Sequence, residues 1–297
     1  MRIMVLYGGE SDEREVSLRS GERVAAALES SGHQTVRVDY QMRQLACLLE
    51  EMRRSDAVFL ALHGGAGEDG SLQAALEQNQ IFHYTGSSPD GAALAMQKAL
   101  AKTCVMKQGV PVARGSALTR DATKSPLPYP VVLKPLSGGS SVGLRFVRTQ
   151  REWKKVAPFD GLLCEEYLPG REYTVGILDG RALPAVEIRP IGGAYDYEHK
   201  YTVGASEELC PAPIAPSKAK RLSELALTAF DALGLRDYAR IDFREDGMGN
   251  PCFLEANTLP GMTETSLFPL AASTAGIPFS QLCERMAALA AARKNGR

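Results

Sequence analysis

Short apolar runs and helical periodicities alternate over the first ninety or so residues. The pattern predicts strands at 3–7, 34–39, 57–62 and 81–84, and helices at about 16–30, 42–51 and 71–78. Such alternation predicts an α/β unit built on a parallel sheet covered by helices, with ligands gathered at the carboxyl ends of the strands. Gly8, Gly9 and Glu13 would then lie near His63 and the 64–70 loop. Ser88-Pro89-Asp90 offers a capping hydroxyl, a first-position proline and an acid, and so starts a helix that runs to about residue 108. A strand-rich section follows at 110–118, 131–134, 144–147 and 162–166, interrupted by a proline-rich loop at 124–130. Strands near 173–178 and 182–188, a helix at 217–233 and a closing helix from Phe279 complete the chain. Between the last two helices, period-two alternation at 238–243 and 252–257 flanks the turn formers 245–251, which predicts an antiparallel hairpin. Boundaries near Pro89 and Glu172 divide the chain into 1–89, 90–172 and 173–297.

Composition narrows the function classes. A chain of 297 residues accommodates two or three domains, and 44% hydrophobic with 23% charged residues is ordinary for a globular protein. A net charge of −1 gives no general attraction to nucleic acid or anionic lipid. The six cysteines are scattered without a Cys-x-x-Cys pair, which argues for reduced thiols in a cytoplasmic compartment and against zinc. The apolar run at 3–7 is too short for a signal peptide, and no stretch reaches membrane-spanning length, so no membrane partner is expected. Gly-x-Gly-x-x-Gly is absent, so a dinucleotide fingerprint is unsupported.

The hairpin carries the densest candidate chemistry. Arg240 and Asp242 share one face of their strand, Glu255 and Asn257 one face of theirs, and a symmetric hairpin would put Arg240 roughly across from Glu255 with Asp242 in reach. Oxygen-only ligands suit Mg²⁺ shared with substrate phosphates, and an arginine beside them suits a transferring phosphoryl group. The same spacing also fits a hairpin whose polar face meets solvent. In the stretch 134–143, Lys134 precedes a Gly/Ser run containing Ser140 and Ser141, which fits either a phosphate cradle or a plain turn. Residues 162–168 end in Glu165, Glu166, Tyr167 and Leu168, a clasp for an adenine with Glu172 free for ribose, or an acidic linker. Residues 194–201 hold three tyrosines and Lys200 after two glycines, which fits a water-excluding lid or an ordinary surface loop.

Together these segments resemble the D-alanine–D-alanine ligases of the ATP-grasp superfamily. The resemblance is carried by Gly8-Gly9 through Glu13-Arg14-Glu15-Val16-Ser17, His63-Gly64 with Gly67-Glu68-Asp69-Gly70, and Tyr84-Thr85-Gly86-Ser87. It continues through Lys134-Pro135 to Gly143, Tyr195-Asp196-Tyr197 with Lys200-Tyr201, Arg240-Ile241-Asp242, and Glu255-Ala256-Asn257-Thr258 with Pro260-Gly261-Met262-Thr263. These segments stand in family order over nearly the whole chain.

The resemblance implies three ATP-grasp domains and a dimer. It implies a reaction in which ATP phosphorylates the carboxylate of one D-alanine and the amine of a second attacks the acyl phosphate. Lys98, Lys134, Ser140, Ser141, Glu165, Glu166, Tyr167, Leu168, Glu172 and Lys200 would hold ATP. Asp242, Glu255 and Asn257 would hold two Mg²⁺ ions, with Mn²⁺ able to stand in. Arg240 and the N–H of Gly261 would stabilise the acyl phosphate and the oxyanion. Glu13 would take the first ammonium, His63 would sit near the first carboxylate, and Ser266 with Leu267 would take the second carboxylate. Glu13, Ser140 and Tyr201 would close the lid, and the Lys200-Tyr201 pair favours a dipeptide over a depsipeptide product. The sequence departs from the family pattern at Gln97 (usually aspartate), at the uncharged Ser137-Gly138, at His199 (usually small) and in a short 119–129 segment.

Overall fold

The computed structural model of the protein describes residues 1–136, 143–156, 158–190 and 206–294. Strand β1 (Arg2–Gly8) is apolar on both faces and nearly wholly buried. It pairs in parallel with β2 (Gln34–Tyr40) and β3 (Ala57–Leu60), in the order β2-β1-β3. Between them run α1 (Arg14–Ser30) and α2 (Leu45–Arg54), the latter preceded by a single 3-10 turn, Met42–Gln44, where the periodicity alone predicts continuous helix. A short helix, α3 (Ser71–Gln78), leads to residues 81–84. The strand expected there is reduced to one bridge, Val58 with Tyr84, and Gly86 (φ +89°) then turns the chain away.

The helix expected over 88–108 is two helices, α4 (Pro89–Met96) and α5 (Lys98–Lys107), broken where Gln97 adopts ψ 87°. The break frees the N–H of Lys98, which reaches the carbonyl of Leu136 at 3.2 Å and docks the start of α5 against the next sheet. That sheet is antiparallel, in the order β4-β7-β5-β6, from β4 (Gly115–Ala117), β5 (Val131–Pro135), β6 (Arg145–Val147) and β7 (Leu162–Glu166). The single turn α6 (Gln150–Trp153) drops Trp153 into its core, stacked on Phe159 at 4.5 Å between ring centres.

The third sheet has β8 (Glu172–Leu178) at its centre. Strands β9 (Arg181–Ala182), β10 (Val186–Pro190) and β11 (Ser206–Leu209) lie to one side. The helix α7 (Pro216–Ala232) leads on to β12 (Tyr238–Glu245) and β13 (Pro251–Asn257). Helix α7 buries Leu222, Leu225, Ala226 and Ala229 against Val175, Ile177, Ala239 and Ile241. The chain closes with α8 (Leu267–Thr274) and α9 (Phe279–Ala291). Helix α8 lies on β8, where Phe268 packs over Gly176, and α9 returns to the first sheet, where Leu282, Cys283, Met286 and Ala290 join one core with Ile3, Val5 and Phe59. The first ninety residues therefore share their core with the last thirty.

The hairpin differs from the symmetric one. Phe243 opposes Phe253, but Asp242 opposes Glu255 and Arg240 opposes Asn257, because Leu254 is an extra residue at a bulge beside Asp242 and Phe243. Phe253 has the same parity as Glu255 and Asn257, yet it is fully buried with Phe243. One inserted residue reverses the parity and brings Glu255 and Asn257 round to the face of Asp242 and Arg240.

Candidate active site

A cleft of about 440 Å³ lies over this face of the hairpin. Asp242 is clamped from within its own strand: Arg240 donates from Nε and Nη2 to its two carboxylate oxygens, at 2.9 Å each. Thr174, directly across on β8, donates its hydroxyl to Asp242 Oδ1 at 2.6 Å. Burial works against the Arg240 charge, but the Asp242 carboxylate outweighs it and holds the guanidinium well above its ordinary pKa. Lys98 at the start of α5 lies 3.7 Å from Glu255, and the side-chain oxygen of Asn257 accepts the N–H of Leu259 at 3.1 Å.

The opposite wall comes from the first sheet. Gly64 has φ +66° and ψ 173°, and a Cβ placed there would lie 2.8 Å from Glu13 Oε2, so the loop can lie against that carboxylate only with glycine. Beside it Glu68 is buried; burial and the charge of Glu13 raise its pKa to about 8, so it carries a proton at neutral pH. His63 is also buried, and burial lowers its pKa. Its Nδ1 lies 3.0 Å from the Leu259 carbonyl and its Nε2 lies 2.9 Å from Ser20 Oγ. Both ring nitrogens thus have partners within the protein, while His63 itself lines the cleft.

At the third edge Ser266 is the N-terminal cap residue of α8, and its hydroxyl accepts the N–H of Thr263 at 3.0 Å instead of capping the helix. Among the described residues no side chain then caps α8, and its N-terminal end meets the cleft at Ser266 and Leu267, a setting suited to a carboxylate.

The structure gathers Glu13, His63, Lys98, Glu172, Arg240, Asp242, Glu255, Asn257, Gly261, Ser266 and Leu267 around the one cleft. Lys134, Glu165, Glu166, Tyr167 and Leu168 do not line it. Glu165 is buried between Lys134, at 2.6 Å, and Lys102. Burial, then the charge of Lys134, lowers Lys102 to about 8. Glu165 overcomes burial to raise Lys134, and the two lysines hold Glu165 itself below its ordinary value. The trio carries one net positive charge, suited to an anionic neighbour. The Glu166 carboxylate turns to Arg114, and the ring of Tyr167 lies edge-on to Phe146 under the guanidinium of Arg244. Leu168 packs with Ala113 and Cys252, and Glu172 faces Arg244 at 3.5 Å. Ser140, Ser141, Lys200 and Tyr201 lie outside the described residues.

Four contributors carry no role in the sequence reading. Glu68 sits inside a quoted motif but signals nothing until its burial is known. Lys102 follows Lys98 by one helical turn and shares its face. Thr174 needs the sheet register to meet Asp242, and Ser20 needs the fold of α1 against His63.

Among the described residues the cleft's lining includes five carboxyl groups, of which Glu68 holds its proton, together with Lys98 and Arg240; Asp242 is paired with Arg240, Glu255 with Lys98 and Glu172 with Arg244. The carboxylates of that lining suit cations and ammonium groups. Asp242, Glu255 and Asn257 fit Mg²⁺ as an oxygen-only set shared across two strands. Such a set leaves the rest of the ion's shell to phosphates and water.

A family model described as D-ala D-ala ligase C-terminus matches residues 104–288. The chain belongs to the D-alanine–D-alanine ligase family. It is 43% identical over 289 residues to the D-alanine–D-alanine ligase of Methylacidiphilum infernorum, covering 96% of this chain and 93% of that protein. It is also 43% identical over 295 residues to that of Aquifex aeolicus, covering 95% and 98%. Among solved structures, the Bacillus anthracis D-alanine–D-alanine ligase complexed with ATP superposes with a TM-score of 0.83 at 30% identity, covering 99% of this chain and 98% of that one. The VanG D-Ala:D-Ser ligase of Enterococcus faecalis also gives 0.83, at 27% identity, covering 97% and 99%. These D-alanine–D-alanine ligase relatives span both walls of the cleft, and the α/β architecture here is the ATP-grasp fold. No helix among the described residues is long and apolar enough to cross a membrane.

Proposed function

We propose that the protein is an ATP-dependent ligase that condenses two D-alanines into D-alanyl-D-alanine through D-alanyl phosphate, for peptidoglycan precursor synthesis in the cytoplasm. The observation that carries this is the convergence on one cleft of the Arg240–Asp242–Glu255–Asn257 wall, Glu13 and the exposed start of α8. Glu13 takes the ammonium of the first D-alanine, and neutral Glu68 behind it adds no second negative charge. The carboxylate oxygen of that alanine attacks the terminal phosphorus of ATP, and ADP leaves. The amine of the second D-alanine, its carboxylate held at Ser266 and Leu267, then attacks the acyl carbon. The amide bond forms as phosphate departs and the amine sheds its protons. Arg240 and the Gly261 N–H offset the charge on the phosphate and the tetrahedral oxygen, each such donor being worth roughly 3–4 kcal/mol in the transition state.

Lys98 and Lys134 bind the nucleotide phosphates, and Lys102 shares the Glu165 carboxylate with Lys134. Glu166, Tyr167, Leu168 and Glu172 belong to the adenosine end. Asp242, Glu255 and Asn257 would hold two Mg²⁺ ions, which neutralise phosphate charge when bound. Roles for Ser140, Ser141, Lys200 and Tyr201 rest on their sequence alone, as do a homodimer and the division at about residues 89 and 172. A D-alanine–D-serine ligase is the second reading, because the fold superposes equally on an ATP-bound D-alanine–D-alanine ligase and on VanG. The relatives at 43% identity favour the first. A panel of D-alanine alone, D-alanine with D-serine, D-alanine with D-lactate, and L-alanine, read as ATP-dependent phosphate release with products weighed by mass spectrometry, tests this. D-alanine alone should suffice; no release with it would overturn the reading.

A further inference from the structure

His63 and Ser20 form a chain of hydrogen bonds whose direction is fixed at both ends by the backbone. The carbonyl oxygen of Leu259 can only accept, so His63 Nδ1, 3.0 Å away, carries the ring proton and donates it. Burial disfavours the imidazolium, so the other nitrogen, Nε2, is an acceptor. Its partner at 2.9 Å, Ser20 Oγ, therefore donates. The same hydroxyl oxygen accepts the N–H of Met262 at 3.2 Å. Glu68 Oε1, 4.0 Å from Nδ1, is too distant to compete for the ring proton.

The chain grips the backbone at Leu259 and again at Met262, with Pro260 and Gly261 between the grips. Gly261 lines the cleft; Ser20 does not, and it is fully buried. The base of the grip is rigid. One turn earlier on α1, Ser17 accepts the Gly8 N–H at 2.8 Å and donates to the Ala61 carbonyl at 2.7 Å, tying the helix to β1 and to the end of β3. One turn later, Arg23 donates to the carbonyls of Met262 and Thr263 at 2.8 and 2.9 Å, and its guanidinium lies over Phe279. A helix of the first sheet thus fixes a loop from the far end of the chain.

We infer that Ser20 is a positioning residue for the reaction, acting through His63 to hold the Leu259–Met262 segment so that the Gly261 N–H meets the tetrahedral oxygen. This rests on the ligase reading above. It assigns His63 to the protein's own backbone and not to a substrate carboxylate. Oxyanion donors lose much of their effect when misplaced by a fraction of an ångström, so a residue that never touches substrate can set the rate.

The test compares the full-length wild type with Ser20→Ala, Ser20→Thr and Ser17→Ala. The readouts are steady-state kinetics on D-alanine and inhibition by a phosphinate analogue of the dipeptide, whose tetrahedral P–O⁻ stands in for the oxyanion. Ser20→Ala should lower kcat about 10- to 100-fold while the KM for ATP stays within about two-fold, and should weaken phosphinate inhibition by a similar factor. Ser20→Thr, which keeps the hydroxyl, should recover most of both. Ser17→Ala, equally buried on the same helix, should lower thermal stability without a matching loss of phosphinate affinity. Wild-type kcat in Ser20→Ala, or equal losses in both readouts for Ser17→Ala, would overturn the inference. A wild type that is silent with D-alanine overturns the ligase reading itself and is told apart at the first measurement.

Discussion

Replacing Glu68 with glutamine should make the ligand-free protein more stable at alkaline pH and leave it nearly unchanged in mild acid. Glu68 has an ordinary carboxyl pKa of 4.5 when unfolded and about 8 when folded, raised by burial and by the charge of Glu13. Between these values the folded protein binds the proton more tightly than the unfolded chain, so stability falls as pH rises from about 5 and levels off above about 8. A shift of three to four units corresponds to a ceiling of about 5 kcal/mol, of which about 3–4 is lost between pH 5 and pH 8. The amide introduced by Glu68→Gln is uncharged at every pH and can still accept the Gly64 N–H, so the variant lacks this slope while keeping the local hydrogen bond. Unfolding followed by calorimetry and by urea titration, in EDTA and without substrates, should show wild type and variant diverging steadily from pH 5 to pH 8. A constant difference over that range would mean Glu68 is already ionised in the fold. A difference that shrinks with rising pH would mean the carboxylate form is the favoured one.

Arg240→Ala should lower turnover by roughly 10²–10³-fold through loss of the charge donor, and it leaves Asp242 without its bidentate partner, measurable as slow phosphate release in a folded protein. In the wild type, Lys102 loses its proton near pH 8, so the KM for ATP should rise as pH passes that point. In Lys102→Met the KM should be about ten-fold higher already at pH 7 and lose that pH dependence, since one charge at about 10 Å and an effective dielectric of about 20 is worth ~1.7 kcal/mol. Gly64→Ala places a methyl 2.8 Å from Glu13 in a backbone region other residues avoid. It should cost about 1–3 kcal/mol in thermal unfolding and raise the KM for the first D-alanine more than that for ATP.

The parallel first sheet was readable because β1 and β3 are short apolar runs that no helix can use at that length. The hairpin was readable from its turn chemistry. What stayed hidden depends on partners distant in sequence. Residues 81–84 read as a strand, yet one bridge to Val58 is all the pairing they receive. The break at Gln97 cannot be heard in a helical periodicity that continues through it; it is set by the docking of Lys98 on Leu136. Helix α8 is only eight residues long and carries a proline at its third position, so its pattern does not separate it from the loop before it. The directions in which Glu165 and His63 turn were not legible, because each faces inward to residues from other elements, Lys102 and Ser20.

The bulge at Leu254 shows why one residue of local geometry decides whether the cleft has any chemistry. The core needs Phe243 and Phe253 face to face, and the chemistry needs Asp242 and Glu255 face to face. Strict alternation cannot supply both, since Phe253 and Glu255 are two apart and would point the same way. Were the strand regular, satisfying the core would turn Glu255 and Asn257 under the sheet, where a carboxylate with no partner costs several kcal/mol. The extra residue lets the aromatic pair stay buried while the acids turn toward Lys98 and Arg240, and Leu254 itself goes to the small cluster with Leu168. Arg240, at the unbulged end, then opposes Asn257 and spends its guanidinium on Asp242. The consequence is electrostatic: along this wall Asp242 meets Arg240 and Glu255 meets Lys98, so each acid faces the cleft beside a cation of its own. Acids that face the cleft can share a divalent cation with a phosphate tail, and acids turned under the sheet cannot, so whether this wall can take such an ion follows from where a single leucine was inserted.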